Sequence, residues 1–254
     1  MGSWGSSRAL RFVAVTTALI GACLISSPSA ETNGSLSADG YLARDVAVLV
    51  YPADAGFESS DRAWTLRREV SLFEGYLWRH SERRLSVNAH LSIIHRTLQA
   101  AEFRDYGRQF GFLLDRSPQV DADLRALGES TSSVLLIYDP TPDRPNRIAG
   151  RTFFDGNHSS VPLSSRYFEG DGFLRPLHLV MVHEYLHQID LTFSRVHHPA
   201  EFLDPDGVGE IDYPSCIDRT GADRSMRSLL LYNRSCQPIS WYLLSPNFGT
   251  WISR

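Results

Sequence analysis

The chain contains no lysine: all 25 of its Lys-plus-Arg positions are Arg. Arg in place of Lys throughout is what a GC-rich bacterial genome imposes. It empties the Asn-x-Ser/Thr matches at Asn33, Asn157 and Asn233 of meaning, since these matter only in a eukaryotic secretory pathway. There is no basic block and no aromatic-basic stripe, and the formal net charge is -4, which argues against a nucleic-acid partner. Cysteine is scarce, at three residues, and none of them forms a Cys-x-x-Cys pair, so no zinc site is built from Cys alone. The apolar run from Phe12 to Ile25 is too short to prefer a membrane span. No internal repeat, Gly-x-Ser-x-Gly elbow, phosphate loop or dinucleotide fingerprint is present.

The N-terminus has the layout of a secretory signal peptide over residues 1–30. Arg8 and Arg11 precede the apolar run, and the small residues Ser26 to Ala30 follow it. Ile20-Gly21-Ala22-Cys23 also resembles a bacterial lipobox. On that alternative the signal is 1–22, and lipidated Cys23 anchors the chain to the cell surface. Residues 31–40 form a linker, and 41–254 hold the folded domain, 41–194 as a sheet lobe and 195–254 as a smaller C-terminal lobe. The mature protein is expected to be secreted or otherwise extracytoplasmic, and a monomer. Cys216 and Cys236, twenty residues apart, are then expected to form a disulfide worth roughly 3 kcal/mol in loop entropy.

Hydrophobic pattern sets the expected elements. Asp45 to Tyr51 reads as a buried strand ended by Pro52, and Leu85 to Leu98 as a second strand. Between them, Asp61 to His80 repeats apolar residues at helical spacing, with Asp61 as its cap. A short helix falls within 121–127, a third strand at 133–138, and an edge strand at 147–154 marked by Gly150 and its Arg residues. A long helix runs from Pro176 to Ser194, followed by loops and a short helix over 224–231. This is an α+β pattern: a mixed twisted sheet, one long late helix and a loop-rich C-terminal lobe.

That late helix carries His183-Glu184-Tyr185-Leu186-His187. On a helix, residues four apart share a face about one turn apart, so the two imidazoles are placed to grip one metal ion. Glu184 is then placed to act as general base on a water at that metal.

The motif resembles that of the zincin metallopeptidases. Uncharged Val180, Met181, Tyr185, Leu186, Gln188 and Ile189 surround it, and the order of elements before it is similar. The resemblance implies a zincin-like fold with a cleft between the sheet lobe and the C-terminal lobe where a peptide pairs with the edge strand, Zn2+ as cofactor, and hydrolysis of a protein or peptide substrate by a zinc-activated water with Glu184 as base. Asp190 and Phe193 stand where the metzincin pattern has Gly and a third His, so the third ligand is sought beyond the helix. His198 is favoured, since imidazole is a common zinc ligand and the residue before Pro199 is held extended. Asp206, Asp204, His197, Glu201 and Asp190 are the alternatives, with Glu210 a little further on. Asp190 better suits a supporting hydrogen bond. Tyr213 and Tyr242 are candidates for stabilising the oxyanion, and Met226 for a methionine beneath the site. His90, His95 and His178 read as structural. The Asp204–Asp212 stretch looks only faintly like a calcium loop, lacking the fifth-position carboxylate and the Glu at position twelve. The rival reading is an exported zincin-like domain that binds a partner without cleaving it.

Overall fold

A computed structural model of the protein describes residues 34–36, 41–129, 133–140, 150–153, 157–163, 176–196, 215–218, 220, 222–233, 235–239 and 241. All of these lie in one compact unit, residues 31–254. Strand β1 (Gly34–Leu36) pairs antiparallel with the start of β2 (Leu42–Tyr51). Helix α1 (Asp61–His80) leads to β3 (Leu85–Ile93), which lies parallel to β2 along its length. On the other side of β2 come β6 (Val134–Tyr138) and β8 (His158–Pro162), both parallel. The two-residue β7 (Arg151–Thr152) closes the edge antiparallel to β8. The order is thus β3-β2-β6-β8-β7, a mostly parallel five-strand sheet, with β1 added at the start of β2. A separate hairpin joins β4 (Phe103–Asp105) to β5 (Phe112–Leu114) around the single turn α2 (Gly107–Phe110).

A parallel strand covered on both faces needs apolar residues at every position, not every second one. In β2 the side chains alternate between two cores. Val46, Val48 and Val50 pack with Leu66 and Phe73 of α1 and with Val182 and Leu186 of α4 (Leu177–Val196). Ala47, Leu49 and Tyr51 face Leu114, together with Val120 and Leu124 of α3 (Pro118–Ala126). Helix α5 (Ala222–Leu231) adds Met226, Leu229 and Leu230 to the first core. Ile217, Ile239 and Trp241 join the same core, and Cys216 and Cys236 form a disulfide with their Cα atoms 5.6 Å apart. No helix among the described residues is long and apolar enough to cross a membrane.

The α+β character, the disulfide pair and the expected helices are present, with shifted ends. Helix α1 is capped by Ser60, whose hydroxyl accepts from Ala63 N at 3.3 Å, while Asp61 is its first residue and favours the dipole from there. Helix α3 begins at Pro118 behind a Ser117 cap, earlier than expected, because Pro is tolerated in the first turn. Strand β3 stops at Ile93, five residues short of the expected end. Strand β8 was not expected. Its His-Ser-Ser start reads as polar loop, yet all five residues are buried. The edge strand expected over 147–154 is strand only at 151–152 among the described residues.

Candidate metal centre

Helix α4 is buried on most sides, with Leu177, Val180, Met181, Val182, Tyr185, Leu186 and Ile189 at most 4 % exposed. The partly open stripe holds His183, His187 and Asp190. The Nε2 atoms of His183 and His187 stand 3.2 Å apart, with the two rings nearly perpendicular at 83°. Two nitrogens at about 2.0–2.1 Å from one tetrahedral zinc ion lie about 3.3 Å apart. The observed separation fits that donor geometry, and paired imidazoles suit zinc chemically.

Glu184 lies about 100° further round the helix and is only 4 % exposed. It faces the sheet edge. Thr152 Oγ1 donates to its Oε2 and its backbone oxygen, both at 2.8 Å. Gly150, just before β7, lets the carboxylate in. A Cβ there would stand 2.7 Å from Glu184 Oε1 and 2.8 Å from Cγ. Gly150 therefore serves close approach as well as marking the edge strand.

Beneath Glu184 runs a buried polar network that the motif alone does not reveal. Thr152 and Ser159 are directly opposed on β7 and β8, with their hydroxyls 2.7 Å apart. Gln188, one turn after Glu184, donates to Ser159 Oγ at 2.7 Å and to Val134 O at 3.0 Å. Its Oε1 accepts from Ser133 Oγ at 2.6 Å. The sequence signal was a Gln on an otherwise apolar face, since a buried amide needs partners. Thr152, Ser159 and Ser133 carried no such signal.

His178 lies further up α4 and belongs to a different contact. Its Nδ1 stands 2.7 Å from Glu69 Oε2 on α1, and its backbone N donates to the same oxygen. Burial pushes the Glu69 carboxyl up, but the hydrogen bonds and charge of His178 outweigh it and hold Glu69 below its ordinary value. His90 lies against Asp45 and Glu129, and His95 against Glu58. Tyr185, between the two ligand candidates in sequence, points into the core edge-on to Phe73, and burial pushes its hydroxyl up to about 12. Met226 is buried in the core beside α1 and α4.

Among the described residues, no group of three His, Cys, Asp or Glu side chains is placed to hold a metal. His197, His198, Glu201, Asp204, Asp206, Glu210, Tyr213 and Tyr242 lie outside the described residues. A cavity of about 310 Å³ opens elsewhere, beyond the carboxyl ends of β2 and β6, lined among others by Tyr51, Ala53, His95, Arg96 and Asp139. Two of its charged groups are paired within the protein: Arg96 with Glu102 and Asp123, and Asp139 with Arg62. In comparisons with known proteins, no family model and no curated sequence matches the chain. The functional reading therefore rests on the residues themselves.

Proposed function

We propose that this chain is an exported zinc-dependent metallopeptidase of the zincin type. The observation that carries the reading is the 3.2 Å approach of the His183 and His187 Nε2 atoms, with Glu184 next in sequence and its carboxylate held at the sheet edge by Thr152. The element order is in keeping with it: strand, helix and parallel strands, with the antiparallel edge strand β7 and the parallel β8 ahead of the motif helix. Export is supported by the signal-like N-terminus and by the Cys216–Cys236 disulfide, which an oxidising compartment sustains.

His183 and His187 would hold the metal, with His198 the proposed third ligand. Bound there, zinc supplies Lewis-acid chemistry, making a water molecule acidic near neutral pH and polarising a carbonyl. Glu184 accepts a proton from the attacking water and returns it to the departing amine nitrogen as the C–N bond breaks. Its burial against β7 keeps bulk water from competing for that proton. An extended peptide laid along the β7 edge would bring its carbonyl past His183 and Glu184.

The test is metal content and hydrolysis of fluorescein-labelled casein by the full mature chain. Glu184→Gln should retain zinc near wild-type stoichiometry and lose about 10²- to 10⁴-fold in rate, the usual contribution of a general base. His183→Ala should lose the metal. His198→Ala and Asp206→Ala, compared side by side, identify the third ligand. Full activity in Glu184→Gln would refute the mechanism.

A further inference from the structure

We infer that Thr152 is a positioning residue for the base: it forms the last link of a polarised hydrogen-bond chain, Gln188 to Ser159 to Thr152 to Glu184, that fixes the carboxylate against β7 on the helix that carries the paired histidines. The inference rests on the metallopeptidase reading for its catalytic consequence, but its geometry stands independently.

The direction of the chain follows from counting protons. Val134 O can only accept, so the Gln188 amide must turn its Nε2 toward Val134 and Ser159, and its Oε1 toward the Ser133 hydroxyl. Ser159 Oγ accepts from that amide and has one proton to give. Thr152 Oγ1 lies 2.7 Å from Ser159 Oγ and 2.8 Å from Glu184 Oε2. With Glu184 ionised, as a general base must be, a Thr152 that donated to Ser159 would leave the short contact to the carboxylate without a proton and set lone pairs against a negative charge. If Ser159 donates to Thr152, the one Thr152 proton is left for Glu184, shared between Oε2 and the backbone oxygen at 2.8 Å each. The anchored amide thus orients two hydroxyls, and both send their protons toward Glu184.

The surroundings make the arrangement rigid. Ser159 is fully buried, Gln188 is 3 % exposed, and the register of β7 on β8 sets Thr152 directly opposite Ser159. Thr152 also donates to the backbone oxygen of Glu184, so one hydroxyl holds both the helix turn and the carboxylate at its side. Gly150 closes the opposite side of the carboxylate. A base fixed in this way spends less of its rate in finding the productive geometry.

The experiment compares Thr152→Val, which keeps the shape and loses the hydroxyl, with Thr152→Ser, which restores it. In the zinc-loaded protein, Thr152→Val should lower kcat on labelled casein about 10- to 100-fold, with KM within twofold and zinc content unchanged. Thr152→Ser should recover most of the loss. Thr152→Val added to Glu184→Gln should cost little further rate. A second readout needs no catalysis: in the metal-free protein, the unfolding midpoints of Thr152→Val, Glu184→Gln and the double variant should show losses that are less than additive. Additive losses would overturn the contact itself. Coupled stabilities with an unchanged kcat in Thr152→Val would overturn the positioning role. Coupled stabilities in a protein that holds no zinc and cleaves nothing would overturn the metallopeptidase reading and the catalytic consequence with it, leaving Thr152 a structural residue.

Discussion

At the scale of single residues, the motif is legible because a helix turns a fixed spacing into a shared face. His183, Glu184 and His187 needed only their numbers. The seat of Glu184 was not legible, because Gly150, Thr152 and Ser159 lie 25 to 34 positions away and meet it only once β7, β8 and α4 have packed. Gly150 was visible as a break in a strand pattern, but its purpose was not. Substituting it tests that purpose. In Gly150→Ala the new methyl group would meet Glu184 Oε1 and Cγ within 3 Å, closer than a real Cβ tolerates, and the carboxylate must move. A displacement of about 1 Å is enough to cost roughly 100-fold in rate. The expected result is that loss in casein hydrolysis, with zinc content and far-UV circular dichroism unchanged. Wild-type activity would show that the carboxylate works from another position.

At the scale of elements, periodicity found every helix of two turns or more among the described residues and the central strands, while the ends depended on local chemistry. Ser60 and Ser117 set the starts of α1 and α3 because a hydroxyl just outside a helix satisfies an otherwise unpartnered N–H. Strand β8 escaped because Ser159 and Ser160 look like loop residues, yet Ser159 is buried to serve α4. The packing of α4 on α1 includes the Glu69–His178 contact, which gives a pH signature. Glu69 titrates below its ordinary value in the folded protein, so it contributes stability above the unfolded carboxyl value of about 4.5 and loses it as the pH falls through the folded value. Glu69→Gln should therefore be destabilised by roughly 1–2 kcal/mol near neutral pH, with the gap to wild type shrinking as the pH falls below about 4.5. Urea midpoints of the two metal-free proteins across that range would check it. A gap that stays constant or widens in acid would contradict the assignment.

At the scale of the whole molecule, the sequence pattern pointed to a smaller C-terminal lobe. Described residues of that segment belong to the main core: Ile217, Met226, Leu230, Ile239 and Trp241 pack in the cluster that includes α1 and α4. Tyr76 of α1 donates to Asp223 of α5, and the Trp241 indole donates to Leu230 O. Periodicity marks α5, and the aromatic stretch from Ile239 suits packing back on the body, as Ile239 and Trp241 do; the loops between give no pattern to read. The Cys216–Cys236 bridge, with a sequence separation of 20, ties this layer together. Closing a loop of that size is worth about 3 kcal/mol in the chain-entropy account. Reduction with dithiothreitol, or Cys216→Ala with Cys236→Ala, should lower the unfolding midpoint by several degrees while leaving the far-UV spectrum native below it. An unchanged midpoint would mean that apolar docking alone holds the segment.

The polar seat beneath Glu184 also bears on transplantation. Helix α4 grafted into another scaffold would bring two imidazoles and a carboxylate, but leave behind the amide acceptor at Val134, the hydroxyls of Ser133, Ser159 and Thr152, and the gap at Gly150. The graft would be a metal chelator with a mobile acid beside it. A working copy of this centre has to move as four chain segments in register, and a five-residue motif is the smallest part of that cargo.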